Sequence, residues 1–499
     1  MKVLLVKPPY TNYRSAIGSS PYEPLGLMYL ASYIRHYSDS EVKVIDALLT
    51  DIEGRWEGDF YKVGWTDEMI KKAIADFQPD IVGISSMFTI HSKGCHDAAR
   101  VVKEYNKDIP VFIGGAHASA FPDWSLKDNH VDFVIVGEGE QTLLEIIKLM
   151  KEKKPFINIP GLSYRKNNEI VNTGTRELIK DLDSIPFPAR DLVDYKGYLY
   201  ADYNYNHSMA PPRATVVSSR GCPYRCTFCS IHALWKHSYR MRSPNNVVDE
   251  IELLVKEYGV REIAFFDDNI SVNRKRMLEL CEEIIRRKLN IRWCTPNGIA
   301  IWTLDKEVLL KMRKSGCYKL TFGIETGSKN TQKFIRKEQI NLEKTKELIA
   351  YCNKIGIWTH STFIIGFPYE TEQDFMDTIN YAISCGVDMG SFFIATPYPG
   401  TELYDIYEKE GLLPDIGEEK SLQWLGNVGQ SMTHIKNFTA EQVQGYLSIA
   451  QRKLYVNRAL SFLNPFRVIP RLRGFDEIRY FYKQTRSYGL KLIRNLLMK

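Results

Sequence analysis

The chain has 499 residues, of which 44% are hydrophobic and 25% charged, a globular balance that excludes a disordered chain and is consistent with about three domains. No apolar run approaches the roughly 18–20 residues of a membrane span, and the start, MKVLLVKPPY, lacks the length and cleavage site of a signal peptide. We therefore expect a cytoplasmic protein whose nine cysteines point to metal binding more than to disulfides.

Residues 1–150 alternate short apolar runs with stretches of helical periodicity. The apolar runs are KVLLV, DIVGISSM, PVFIGG and DFVIVG. This alternation predicts a parallel sheet with helices on both faces, so we expect a Rossmann-like domain. Ligands of such sheets bind at the carboxyl ends of the strands, where the segment Ser85–Met87 and the pair Gly114 and Gly115 fall.

Three further regions follow this domain. Residues 151–213 are rich in Pro, Gly and polar residues, which predicts a linker with a small hairpin. Residues 214–401 contain about six apolar runs separated by helical patterns, which predicts a partial (β/α)6 barrel of the TIM type with its active site where the strands end. Residues 402–499 are expected to form a mostly α-helical C-terminal domain, so the fold class is α/β.

The most informative stretch is RGCPYRCTFC at residues 220–229, where three cysteines have the spacing C-x3-C-x2-C. Thiolates bind soft metals, and iron–sulfur clusters are usually held by four of them. Three thiolates leave one iron open to a small ligand, as in a catalytic metal site. A zinc site completed by His232 or His237, or three incidental cysteines, would be the alternatives.

The motif resembles that of the radical SAM (S-adenosylmethionine) superfamily, in which an aromatic residue, here Phe228, precedes the last cysteine. The resemblance implies a 4Fe-4S cluster on Cys222, Cys226 and Cys229, which are then both metal ligands and catalytic residues. It implies that SAM chelates the open iron, and that reductive cleavage of SAM gives a 5′-deoxyadenosyl radical that abstracts hydrogen from the substrate. An external electron donor such as ferredoxin or flavodoxin is implied as well.

Further positions match the same family. Asp267 and Asp268 stand where relatives contact the SAM ammonium, Glu325 where they bind the ribose, and Gly366 with Pro368 where the adenine lies. A carboxylate opposite an ammonium is a strong, charge-assisted pair. The alternatives are a helix N-cap for the two aspartates and a salt bridge inside the barrel for Glu325.

The N-terminal region resembles the amino-terminal domains of cobalamin-dependent radical SAM enzymes. SSM and the glycine pair are separated by 26 residues, and GGAHASAFPDW and VGEGEQT add to the likeness. The resemblance implies cobalamin as a third cofactor, with contacts from Ser85, Ser86, Gly114, Gly115, His117 and Glu138. The alternative is a Rossmann-like domain that has lost cobalamin and only packs on the barrel.

The loop after the first strand departs from the family pattern. The motif D-x-H-x-x-G belongs there, but KPPYTNYRSAIGSSPYEPLG contains no histidine. The chain therefore resembles the subgroup that binds cobalamin without a histidine from this loop, and Tyr10, Tyr13 and Tyr22 are candidates for packing against the lower face. We expect His91 and His117 to face solvent or support the site rather than to ligate cobalt.

For many members of this family the implied reaction is methyl transfer from methylcobalamin to an unactivated carbon. The alternative uses the same cofactors for cyclisation, ring rearrangement or oxidation, as in the anaerobic cyclase of bacteriochlorophyll synthesis. Methylthiotransferases share the cluster motif but need three more cysteines in the N-terminal domain, where only Cys95 is present. A corrinoid-binding or lipid-binding protein without activity would leave the cluster loop unexplained.

The last segment is strongly basic. Residues 452–499 carry 12 Lys and Arg against 2 Asp and Glu, a local net charge of +10. Since the whole chain carries +6, the rest of the chain carries −4. We favour a helical lid over the substrate cavity, with peripheral membrane contact as the next interpretation and no nucleic acid as partner. The tail and the 12% aromatic content favour a large apolar or anionic substrate, such as an isoprenoid, a porphyrin or a phosphorylated intermediate.

Overall fold

The computed structural model describes residues 1–12, 22–49, 54–58, 60–200, 207–413 and 434–497. The chain forms two compact units. Of the described residues, the first comprises 1–200 and Ile231–Lys236, and the second 207–230, 237–413 and 434–497. Within the described residues, no helix combines the length and apolar character that a bilayer crossing requires.

Ten strands of the described chain belong to the first unit. They are β1 (Lys2–Lys7), β2 (Tyr10–Asn12), β3 (Glu41–Asp46), β4 (Gly54–Glu57), β5 (Phe60–Val63), β6 (Ile81–Ser85), β7 (Val111–Gly114), β8 (Phe133–Ile135), β9 (Leu162–Lys166) and β10 (Glu169–Asn172). Seven of them form one sheet in the order β10-β9-β8-β7-β6-β1-β3, parallel from β8 to β3. The other three form a small antiparallel sheet in the order β2-β5-β4.

The helices of the first unit are α1 (Leu25–Tyr37), α2 (Asp67–Phe77), α3 (Ser92–Tyr105), α4 (Ala116–Ala120), α5 (Pro122–Ser125), α6 (Gly139–Lys151), α7 (Lys196–Leu199) and α8 (Ile231–Trp235). Successive residues of β1 point to opposite faces of the large sheet, and the residues on both faces are buried. Leu4 and Val6 pack in one core cluster, and Val3 and Leu5 in another. This is the pattern expected of a parallel sheet with helices on both faces, and it confirms the Rossmann-like class.

The segment expected to be a linker, residues 151–213, contributes to the first unit. Its hairpin of β9 and β10 was anticipated, but the hairpin continues the large sheet, since β9 pairs antiparallel with β8. In the described chain the first unit therefore continues past residue 150 to residue 200. Hydrophobic residues of this segment, among them Ile159 and Leu162, complete one of the two cores.

The described part of the second unit contains eight strands. They are β11 (Arg213–Val216), β12 (Ser219–Gly221), β13 (Tyr239–Met241), β14 (Glu262–Phe265), β15 (Arg292–Ile299), β16 (Cys317–Glu325), β17 (Trp358–Ile365) and β18 (Met389–Ile394). Six form a parallel sheet in the order β11-β14-β15-β16-β17-β18, with each new strand added at the same edge. This arrangement matches the predicted six-stranded partial barrel.

The helices of the second unit are α9 (Pro244–Tyr258), α10 (Arg274–Arg286), α11 (Lys306–Lys314), α12 (Lys329–Phe334), α13 (Leu342–Ile355), α14 (Glu372–Ser384), α15 (Glu402–Lys409), α16 (Ala440–Phe462), α17 (Pro465–Val468) and α18 (Phe475–Leu497). Their starts follow local chemistry: Thr371 before α14 and Thr439 before α16 each form a capping box with the third helical residue. The C-terminal region is thus helical as predicted, but it belongs to the same compact unit as the barrel sheet.

The last helices pack at the amino ends of the barrel strands. Arg292, the first residue of β15, pairs with Glu477 of α18 at 2.7 Å. The ring of Trp358, the first residue of β17, lies 5.9 Å from that of Tyr480. Asp388, just before β18, receives hydrogen bonds from Arg471 at 2.7 Å. The favoured interpretation of this segment as a lid over the substrate cavity is therefore wrong, because the cluster loop follows the opposite ends of the strands.

Candidate functional site

The loop that carries the three cysteines follows the carboxyl end of β11, the first strand of the barrel sheet. It begins with β12, whose Gly221 pairs with Tyr239 of β13 and has a φ of +88°. Glycine adopts this conformation without a steric penalty. Further along, the backbone N–H of Cys229 donates to the C=O of Cys226 at 3.1 Å, which closes a tight turn.

The exposure of the cysteines separates them into two groups. Cys222, Cys226 and Cys229 are partly exposed, whereas the six others, Cys95, Cys281, Cys294, Cys317, Cys352 and Cys385, are buried. Burial raises the pKa of the Cys222 and Cys226 thiols. Three soft donors that can be reached on one loop at the strand ends fit an iron–sulfur cluster, which binds thiolates.

The two aspartates after β14 hold the start of this loop. The carboxylate of Asp267 is buried and accepts hydrogen bonds from the backbone N–H of Ser218 at 2.9 Å and from the Ser218 hydroxyl at 2.7 Å. Asp268 accepts from the backbone N–H of Gly221 at 2.8 Å. Neither caps a helix, since Asn273 caps α10, so the N-cap alternative is wrong. Their contact with the SAM ammonium stays a prediction.

Glu325 forms a buried ion pair, which is the alternative that the sequence left open. Its carboxylate lies 3.0 Å from the Lys337 ammonium and accepts from the Thr362 hydroxyl at 2.9 Å. Glu325 has a φ of +67°, in the left-handed region that non-glycine residues rarely occupy. The predicted contact of Glu325 with the SAM ribose stays a prediction, because the ion pair with Lys337 does not test it.

Lys337 was missed by the sequence analysis. The ammonium lies 5.7 Å from the Phe228 ring centroid, beside the cluster loop. Burial alone would lower its pKa, but attraction to Glu325 and Cys226 outweighs burial and the pKa is raised. A buried cation here counteracts the negative charge of bound thiolates. Nothing in the sequence separates this lysine from the surface lysines around it, because its neighbours in the sequence are also charged.

The loop after β17 is held by a second buried carboxyl that the sequence did not reveal. Glu370 accepts from the backbone N–H of Gly366 at 2.7 Å and from that of Phe367 at 3.0 Å. The C=O of Gly366 accepts from the Tyr407 hydroxyl at 2.9 Å. Burial raises the pKa of Glu370 to about 8. Gly366, predicted to lie near the adenine, therefore has its backbone conformation fixed within the protein.

No group of three or more His, Cys, Asp or Glu side chains within the described residues is arranged to hold a single metal ion. An iron–sulfur cluster makes a different demand, since its thiolates are distributed over several irons. The assignment of Cys222, Cys226 and Cys229 as cluster ligands thus stays a prediction that rests on their motif, loop and exposure.

In the first unit, the two predicted cobalamin-contacting segments lie side by side after β6 and β7. The backbone N–H of Ser86 donates to the Gly114 C=O at 2.7 Å, and the N–H of His117 donates to the Ser86 C=O at 3.1 Å. A Cβ on Gly115 would lie 2.6 Å from the Ser86 oxygen, so this position requires glycine. Ser85 accepts a contact from the Cys95 thiol at its C=O. The spacing seen in the sequence thus corresponds to two segments that lie side by side at the carboxyl ends of the neighbouring strands β6 and β7.

His117 is buried, which excludes the solvent-facing alternative and leaves the supporting role that the sequence also allowed. Its Nδ1 lies 3.2 Å from the Thr89 hydroxyl, and its Nε2 has no hydrogen-bond partner among the described residues. Burial lowers its pKa to about 3, so the ring is neutral. A buried ring nitrogen that lacks a partner fits a polar group of a ligand. Glu138, in contrast, accepts from the backbone N–H of Ile179 at 2.7 Å and so anchors the chain beyond the hairpin.

Two of the tyrosines proposed for the lower face lie together at the end of β1. Tyr10 stacks on the His91 ring with centroids 3.5 Å apart, and Tyr22 lies 6.5 Å from Tyr10. His91 is packed against this ring, and burial lowers its pKa to about 3. Tyr13 lies outside the described residues. A cluster of Tyr10, Tyr22 and His91 therefore lies after the end of β1.

Comparisons with known proteins agree with both units. The model of the radical SAM superfamily matches residues 216–382, and the B12 binding domain model matches residues 18–147. An uncharacterized methyltransferase of Pyrococcus horikoshii is 33% identical over 92% of this chain and 92% of its own length. The cytidylyl-2-hydroxyethylphosphonate methyltransferase of Streptomyces wedmorensis is 33% identical over 84% of each chain.

Two more distant likenesses extend this result. The anaerobic magnesium-protoporphyrin IX monomethyl ester cyclase of Rubrivivax gelatinosus is 28% identical over 81% of this chain and 69% of its own. The solved structure of the cobalamin-dependent S-adenosylmethionine radical enzyme OxsB, with aqua-cobalamin and S-adenosylmethionine bound, has a TM-score of 0.70 at 16% identity, over 99% of this chain and 72% of that one. The second likeness confirms the fold.

The identity to the Pyrococcus protein over almost the full chain, together with the two domain matches, settles the family. A 4Fe-4S cluster, SAM and cobalamin are accordingly the cofactors of this enzyme. The chain belongs to the cobalamin-dependent radical SAM enzymes.

Proposed function

We propose that the protein is a C-methyltransferase whose cluster ligands are Cys222, Cys226 and Cys229. One observation carries the proposal: the reachable three-cysteine loop and a B12-binding domain occur in one chain, and two relatives at 33% identity are methyltransferases. Together, the bound cofactors supply hydrogen abstraction from the substrate and a methyl group for the resulting carbon.

The residues of the chain then divide the work of binding and positioning. The three thiols hold the cluster, and Asp267 and Asp268 fix the loop that presents them. Lys337 balances the negative charge of the loop, and Glu370 fixes the Gly366 segment proposed to contact SAM. Such preorganisation matters because hydrogen abstraction and methyl transfer both need near-contact geometry.

The substrate class is proposed to be large and either apolar or anionic. A relative whose name contains a cytidylyl phosphonate supports an anionic substrate, and a relative that acts on a porphyrin ester supports an apolar one. Ferredoxin or flavodoxin as electron donor and a cytoplasmic location stay predictions.

The test uses the reconstituted enzyme with SAM labelled in its methyl group. We expect about four irons and one corrin per chain, reductant-dependent 5′-deoxyadenosine, and label in the cobalamin fraction and then in the product. The absence of corrin after desalting, or of label in the cobalamin fraction, would contradict the proposal.

The second candidate function is cyclisation, rearrangement or oxidation with the same cofactors. The 28% identity to the anaerobic cyclase of Rubrivivax gelatinosus favours it. The same labelling experiment separates the two functions: 5′-deoxyadenosine with an altered but unlabelled product would identify the second.

A further inference from the structure

Exposed apolar side chains are concentrated in the C-terminal helices. Of the 21 large apolar side chains that are exposed in the described part of the chain, ten lie between residues 449 and 490. The most exposed are Phe466 at 91%, Leu463 at 78% and Phe475 at 77%. Scattered exposed apolar residues are normal, but a concentrated set marks an interaction surface. We call this set the C-terminal apolar surface.

This surface is not the face that packs against the barrel. On α18, Tyr480 and Tyr488 are buried, whereas Phe475, Ile478 and Tyr482 lie on the opposite side and are more than half exposed. With 3.6 residues per turn, positions three and four apart share a face, so these exposed residues form one stripe. A surface helix usually has one apolar stripe facing the core, and α18 has a second one facing outward.

The exposed charges that residues 452–490 themselves carry have one sign. Lys453, Arg473 and Arg486 are exposed. The two acidic residues of the region, Asp476 and Glu477, are neutralised by ion pairs with Arg261 and Arg292. In the described chain from residue 452 to residue 490, every exposed charge is therefore positive. An outward apolar stripe flanked by cations is the composition of helices that lie in the headgroup region of a bilayer.

We propose that the C-terminal apolar surface docks on an anionic lipid bilayer and anchors the enzyme peripherally. The apolar side chains enter the interface, and the cations meet anionic headgroups, which attract Lys and Arg placed near the surface. A folded protein partner would be matched less well, because protein surfaces carry both signs of charge. The anchor is independent of the reaction proposed above, since its residues lie at the amino ends of the barrel strands.

The proposal is tested by vesicle flotation of the full-length enzyme with phosphatidylcholine alone and with about 30% phosphatidylglycerol added. We expect flotation with the anionic vesicles. The double variant Leu463→Gln, Phe466→Gln should lower partitioning by about tenfold or more, because both side chains lose their apolar transfer energy. The double variant Lys453→Gln, Arg486→Gln should weaken binding to anionic vesicles and leave any binding to neutral ones unchanged.

A matched control comes from the outer helices of the barrel. Leu253→Gln with Ile285→Gln changes two side chains that are 38% and 41% exposed on α9 and α10, and flotation should stay as in the wild type. Equal iron content and thermal midpoint show that each variant is folded. The proposal is overturned if the wild type does not float with anionic vesicles, or if the Leu463 and Phe466 variant floats equally well. Concentration-dependent self-association that the same variant abolishes, without vesicle binding, would overturn it and identify a protein interface.

Discussion

The two ends of the barrel sheet use buried charged groups in different ways. At the amino ends, Asp388 is paired with Arg467 and Arg471, and helices cover the pairs. At the carboxyl ends, Asp267 and Glu370 accept mainly from backbone N–H and hydroxyl groups of loops. Asp388 is thus matched by two cations at the amino ends, whereas Asp267 and Glu370 fix loops at the carboxyl ends, where Glu325 is paired with Lys337. The following substitutions should therefore separate loss of stability from loss of chemistry.

The largest effect is expected from Cys222→Ala. Iron should fall from about four per chain to near zero and 5′-deoxyadenosine formation should cease, because two thiolates cannot hold the cluster. The thermal midpoint of the metal-free protein should stay unchanged, since the Cys222 side chain is partly exposed. Cys281→Ala is the control: this buried residue should cost about 1 kcal/mol of stability and leave the iron in place. Full iron in Cys222→Ala would refute the assignment.

The next effect is at the opposite end. Asp388→Asn should lower the free energy of unfolding by about 3–5 kcal/mol, because it leaves two arginines around an uncharged group. The arginines outweigh burial and hold the pKa of Asp388 below its usual range. The stability from this carboxylate is therefore full above its unfolded pKa near 4 and is lost as pH falls through the folded value. Chemical denaturation at several pH values measures the destabilisation and its pH dependence. The iron content per folded chain should be unchanged. Loss of iron would show that the two ends are coupled.

A smaller loss is expected from Lys337→Met, which leaves the Glu325 carboxylate buried without its cation. We expect about 3 kcal/mol of destabilisation, and recovery of most of it in the double variant with Glu325→Gln, because both charges are then gone. The reduction potential of the cluster should shift to more negative values in Lys337→Met and return towards the wild-type value in the double variant, measured by redox titration. An unchanged potential would mean that Lys337 serves the fold alone.

The smallest effect concerns Glu370. Its folded pKa of about 8 exceeds its unfolded value of 4.5, so the folded state binds the extra proton in between. Stability from this group is therefore present at low pH and falls as pH rises from about 4.5 to 8. Glu370→Gln should remove this slope, a difference of about 2–3 kcal/mol between pH 5 and pH 7. If the free energy of unfolding changed with pH equally in the two proteins across this range, the protonation of Glu370 would be contradicted.

The same comparison shows what the sequence could predict. The cluster motif is contiguous, so its three cysteines and the strand before them could be identified without knowing the fold. Lys337 and Glu370 could not, because each acts on a loop through contacts that only the strand order creates. For α18, the pattern indicated a helix but not the end of the barrel on which it packs. The hairpin of β9 and β10 was foreseen, but its pairing with β8 depends on a partner elsewhere in the chain.

The sealing of the amino ends has a consequence for the order in which the protein is made. The backbone C=O of Met209 accepts from Arg479, which is 270 residues further along the chain. The cysteine loop therefore leaves the ribosome long before the helices that complete its barrel, since translation adds roughly 5–20 residues per second. We expect nascent chains stalled before residue 440 to present this loop on an unfinished barrel. Protease sensitivity of such chains, compared with that of the full chain, would measure when the barrel becomes complete.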